Sequence, residues 1–171
     1  NQPAIDNPDF NYCCFAGPSN LQQTNTKPNI MILGDSVSIG YTPYVVTTLS
    51  DIGYVQHSPW SNDGGSGSVS YGLSCLPIFL SSMTQSYIKW DIIQFNFGLH
   101  DLDNSTYQIN QYQKQLTDIT NKLLMFNNGK TKLQYATTTP FMPDYNNGDF
   151  IVEQLNQIAI NIMKKNNIPI V

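Results

Sequence analysis

Three short polar clusters hold the residues able to do chemistry, and the first is Gly34-Asp35-Ser36, entered from the apolar run Ile30-Met31-Ile32-Leu33 and followed at once by a helical pattern. A serine at a strand-to-helix turn is lifted off the sheet edge, and the first N–H groups of the following helix point at an anion forming beside it. Gly34 permits the tight turn, and Ser36 is then a nucleophile for an acyl carbon. The same tripeptide is also ordinary turn chemistry, with Asp35 or Ser36 capping a helix that begins near Val37. The second cluster is Ser61-Asn62-Asp63-Gly64-Gly65-Ser66-Gly67, and the third is Gly98-Leu99-His100-Asp101.

The elements that must position these clusters alternate along the chain. Residues 1–28 form an irregular arm rich in Pro and Asn, and 29–171 read as one domain. Its pattern predicts strands at about 29–34, 53–57, Trp90 to Phe97, Lys132 to Thr138 and Ile168 to Val171, the last cut short. Helices fall at about 37–50, 71–86, Gln108 to Phe126 and Asp149 to Lys165, with a Gly/Ser loop over 61–70. Strand–helix alternation with short connections implies a parallel sheet covered by helices on both faces. Ligands of such sheets bind at the carboxyl ends of the strands, where all three clusters fall.

Composition narrows the partners. The 171 residues suffice for one sizeable core, with 40% hydrophobic and only 12% charged residues. A net charge of −4 gives no basic stripe to neutralise phosphates, which argues against nucleic acid, and no apolar run reaches the length of a membrane span. The chain opens with Asn1-Gln2-Pro3, as a mature secreted chain would after removal of a leader, and Asn104-Ser105-Thr106 is a glycosylation sequon for a secretory route. Cys13, Cys14 and Cys75 make an odd count with two adjacent; one of the pair is expected to bridge to Cys75, the alternative being free buried thiols. Three Cys and two His at these spacings match no metal-ligand pattern, and nothing calls for a cofactor.

Together the clusters resemble an SGNH/GDSL-type hydrolase, a flavodoxin-like three-layer α/β/α family with a central parallel sheet of about five strands. The resemblance is carried by Gly34-Asp35-Ser36-Val37-Ser38-Ile39-Gly40-Tyr41-Thr42, Phe95-Asn96-Phe97-Gly98-Leu99-His100-Asp101-Leu102 and Ala136-Thr137-Thr138-Thr139-Pro140, in register over 29–171. It implies a serine ester hydrolase acting on a small acyl ester, with a carbohydrate O-acetyl group as the looser implication. Ser36 is the implied nucleophile and its N–H the first oxyanion donor, with Gly64 or Gly65 as the second because a backbone must approach the oxygen closely. His100 stands where most relatives have Asn; it orients its loop or donates to the oxyanion, in which case its tautomer matters. Asn96, two residues before Gly98, is an alternative amide donor or a loop anchor. Asp35 and Asp101 brace their turns. Tyr41, Trp60 and Tyr71 are placed to stack on sugar rings or to fill core.

The family's base comes from a late Asp-x-x-His block, and no such block occurs in this sequence. A serine hydroxyl without a base is a poor nucleophile at neutral pH, so the residues given are expected to be weak or inactive alone, with the block in a C-terminal remainder of the same protein. His57, among Gln56, Ser58 and Pro59, reads as a loop-facing polar residue rather than a base. Two alternatives stay open: a non-catalytic binding or structural relative, and a nucleotide binder, the latter disfavoured because no phosphate-cradling Gly-rich loop follows the first strand.

Overall fold

The computed structural model describes residues 14, 21–59, 65–81, 88–102, 105–140 and 148–171. Four parallel strands, β1 (Asn29–Leu33), β2 (Tyr54–Ser58), β3 (Ile92–Phe95) and β4 (Lys132–Tyr135), lie in the order β2-β1-β3-β4. Helix α1 (Ser36–Thr48) joins β1 to β2, α2 (Val69–Phe79) precedes β3, α3 (Thr106–Met125) joins β3 to β4, and α4 (Gly148–Lys165) follows β4. The chain leaves β1 for β2 on one side and returns past it to β3 on the other, so the order reverses between β1 and β3. That reversal opens a crevice at the carboxyl ends of these two strands.

Alternation along each strand divides the layers. Met31 and Leu33 of β1, Ile93 and Phe95 of β3, and Leu133 and Tyr135 of β4 join one buried cluster with α2, α3 and α4. On the opposite face Ile32 is paired with His57 and Gln94, beside α1. The result is the expected three-layer α/β/α arrangement, with α1 against β1 and β2 and the other helices across the sheet.

Among the described residues the sheet has four strands, not about five. Ile168 to Val171 run beside β4 and form one isolated parallel bridge, Tyr135–Ile170, with Tyr135 N–H to the Pro169 carbonyl at 2.9 Å, Val171 N–H to the Tyr135 carbonyl at 2.9 Å and Thr137 N–H to the Val171 carbonyl at 3.0 Å. Pro169 has no N–H to extend the ladder. The β3 run is also shorter than predicted, spanning Ile92–Phe95, and the positive φ of Gly98 turns the chain beyond its end. Of the arm, Leu21 is buried, and Gln22 and Gln56 exchange hydrogen bonds of 2.8 and 2.6 Å. Cys14 is bonded to Cys75, on α2, and Cys13 lies outside the described residues.

Candidate active site

At the first turn, Asp35 is the N-cap of α1: its backbone is extended and its Oδ1 accepts from the Val37 N–H at 3.0 Å. A two-residue reach of this kind satisfies one of the helix's orphan donors. Ser36 is the first helical residue and is exposed, whereas Asp35 is buried. The loop after β2 is pinned onto this turn. Ser66 N–H donates to the Gly34 carbonyl at 2.8 Å, and Gly65, at φ +57°, lies so close that a Cβ there would come within 2.3 Å of the Gly34 oxygen and 2.8 Å of Asp35 backbone carbons. Only a glycine backbone fits that approach. Gly64, with Trp60 and Ser61 to Asp63, lies outside the described residues.

At the second turn, the Asn96 N–H donates to the Leu33 carbonyl at 3.0 Å. The Asn96 side chain donates to the Ala136 carbonyl at 2.7 Å and to Thr138 Oγ1 at 3.3 Å, just past the end of β4. Asn96 therefore joins the ends of β3 and β4, and with Asp35, Ser38, Tyr41 and Thr138 it lines a small cavity of about 40 Å³. Gly98, at φ +156°, is packed against Thr138, whose Oγ1 would be 2.3 Å from a Cβ. Thr138 is itself held by Asn156 of α4, which accepts from its N–H at 2.8 Å and donates to its carbonyl at 2.9 Å. Tyr112 and Tyr135 each donate to the Phe97 carbonyl at 2.9 Å; burial keeps both hydroxyls protonated, pushing Tyr135 up to about 12 and Tyr112 well above its ordinary value.

His100 is exposed, on a polar groove of about 350 Å³ where the β3 loop meets α2 and α3. Both Asp101 carboxylate oxygens accept from the N–H of Val69, the first residue of α2, at 3.0 and 3.1 Å. Burial pushes Asp101 up to about 7, and the Val69 hydrogen bond opposes that shift.

His57 does not face a loop. It lies in β2, is buried, and sets Nε2 2.6 Å from Ser38 Oγ and Nδ1 3.1 Å from the Pro59 carbonyl; burial pushes it down to about 4. The polar neighbours Gln56, Ser58 and Pro59 suggested a loop, but pairing of His57 with Ile32 turns its ring toward α1. Ser38 was not singled out from the sequence. Its signal was position, three residues after the cap, where a hydroxyl turns back onto the preceding carbonyl.

Tyr41 accepts from Gln94 Nε2 at 2.8 Å and Tyr71 packs edge-on against Phe79 at 5.8 Å, while Asn104 lies outside the described residues. Among the described residues no three His, Cys, Asp or Glu side chains converge as a metal set, and no helix is long and apolar enough to cross a membrane.

The helix-covered parallel sheet is a three-layer α/β/α fold, with the exposed Ser36 at its switch point and the Gly65 backbone pressed against that turn. More narrowly it is the SGNH/GDSL hydrolase fold, as the solved structures similar to it indicate. An acetyl xylan esterase superposes with a TM-score of 0.59 at 13% identity, over 83% of this chain and 75% of the other. A lipase/acylhydrolase from Enterococcus faecalis gives 0.58 at 15% identity, over 84% and 75%. A protein from Desulfitobacterium hafniense assigned to the lipolytic G-D-S-L family gives 0.60 at 16% identity, over 84% and 76%. No protein-family model matches the sequence, and a search of curated proteins returns no match.

Proposed function

We propose that this protein is a serine ester hydrolase of the secretory route that removes a small acyl group, such as acetate, from a carbohydrate. The observation that carries the reading is the exposed Ser36 at the first position of α1, with Gly65 packed against the peptide that precedes it. Ser36 Oγ attacks the acyl carbon, the carbonyl oxygen becomes an oxyanion received by the Ser36 N–H and the Gly65 or Gly64 backbone, and the alcohol leaves with a proton. Water then releases the acid and restores the serine. His100, exposed on the groove where the β3 loop meets α2 and α3, is the further oxyanion donor or orients its loop. On this reading the base comes from the Asp-x-x-His block that the resemblance implies, since His57 is engaged with Ser38 and Pro59. The esterase and acylhydrolase neighbours support ester chemistry, and the Cys14–Cys75 disulfide supports an oxidising compartment.

The test is acetate release from an O-acetylated oligosaccharide by the natural full-length protein and by its Ser36→Ala variant. Release that disappears in the variant is expected. Equal rates for both, or no release from any acetyl ester, would leave the second reading, a non-catalytic binding protein on this fold.

A further inference from the structure

Beneath the nucleophile turn is a contact that the esterase reading does not use. Ser38 is buried one turn into α1, with its Oγ 2.6 Å from the Asp35 carbonyl oxygen and 2.6 Å from His57 Nε2. The close fit extends to Gly34, where a Cβ would come within 2.6 Å of the same Oγ.

Proton counting fixes the direction of these bonds. The Pro59 carbonyl, 3.1 Å from Nδ1, can only accept, so Nδ1 carries the ring proton. Burial keeps the imidazole neutral, so Nε2 offers a lone pair to Ser38. Ser38 has one hydroxyl proton and two acceptors at equal distance, and shares it between them as a three-centre bond.

The Asp35 carbonyl belongs to the same peptide unit as the Ser36 N–H. A donor on the oxygen of an amide polarises that amide and strengthens its N–H as a donor. The Asp35 carbonyl also accepts from the Ile39 N–H at 3.1 Å, so two donors hold this peptide plane against the end of the helix. We infer that Ser38 is a positioning residue: its hydroxyl, held in place by His57, sets the orientation and donor strength of the Ser36 amide that receives the oxyanion. Ser38 is buried and acts through the peptide, and His57 acts through Ser38. The inference rests on the esterase reading, in which the Ser36 N–H is an oxyanion donor.

The test is phosphonylation of Ser36 by a fluorophosphonate probe in the natural full-length protein, resolved into kinact and KI. Removing a whole oxyanion donor costs roughly 100- to 1,000-fold, so Ser38→Ala, which only weakens one, is expected to lower kinact about tenfold. KI should stay within about twofold, because the lost interaction acts only as charge develops on the oxygen. Ser38→Thr keeps the hydroxyl and should return kinact to within about threefold of the wild type. If the alanine variant does not fold, Ser38→Cys, with a weak thiol donor of similar size, carries the same expectation. A purely structural role would move the unfolding midpoint without separating kinact from KI. A folded Ser38→Ala or Ser38→Cys protein labelled at the wild-type rate, or a Ser38→Thr protein as slow as the alanine variant, overturns the assignment. A wild-type protein whose Ser36 takes no label instead removes the esterase reading beneath it.

Discussion

The two turns that meet at the switch point each rest on a group that burial biases toward its neutral form, and they use it differently. Under the β1–α1 turn, burial pushes His57 down to about 4; in the β3 loop, burial pushes Asp101 up to about 7. Desolvation is the larger cause in both, and both groups are biased toward their neutral forms. His57 spends its bonds on Ser38 and the Pro59 carbonyl, so it supports the peptide beside the exposed Ser36. Asp101 spends its bonds on the Val69 N–H and so ties its loop to the start of α2. On the proposed reading the first turn is arranged around a place for substrate, whereas the second is a brace with an exposed His100 on its rim.

Substitutions should separate the two turns. The largest effect is expected for Gly65→Ala, since an L-residue in the left-handed region costs about 1–2 kcal/mol and its Cβ would lie 2.3 Å from the Gly34 carbonyl. Urea unfolding should show at least that loss, and Ser36 labelling should fall by about 100-fold, the effect of a lost oxyanion donor. On the other turn, His100→Ala is expected to slow turnover of a small acetyl ester about tenfold, less than the roughly 100-fold of a lost backbone donor, with little change in unfolding because the side chain is exposed. An unchanged rate would remove His100 from the chemistry.

The buried pair is separated by pH. A carboxyl that holds its proton more tightly when folded makes stability fall as pH rises from 3.8 to about 7. Asp101→Asn should abolish that fall and leave the variant more stable than the wild type at pH 8 by about 1 kcal/mol or more. His57 has the opposite sign: unfolded chains take up its proton below 6.5, the folded protein only near 4, so stability falls as pH is lowered across that interval. His57→Gln should flatten this smaller slope, read as the unfolding midpoint between pH 7 and 4. Slopes unmoved by either change would show that neither group is held neutral by burial.

The same contrast explains what could be read from the residues alone. The run from Ile30 to Ser36 was legible because its determinants are local: an apolar strand, a cap two residues from its donor, and a helix. The third cluster was recognised, but not what its residues hold, since Asp101 meets Val69 across 32 positions and Asn96 meets Ala136 across 40. His57 was misread for the same reason: its buried placement depends on β2 pairing beside β1, which polar neighbours in sequence do not reveal. Helix α2 was displaced, starting at Val69 rather than near 71, because Ser68 and Asp101 together accept its first N–H groups. The last strand was overcounted because Pro169 interrupts its donors. The parallel, helix-covered architecture survived these errors, since it depends only on the alternation of elements.

Fluorophosphonate labelling of the natural full-length protein, with the modified peptide located by mass spectrometry, tests the central claim most directly. A label on Ser36, absent from Ser36→Ala, is the predicted result. Folded protein that takes no label, or takes it on a different serine, would contradict the assignment of the nucleophile.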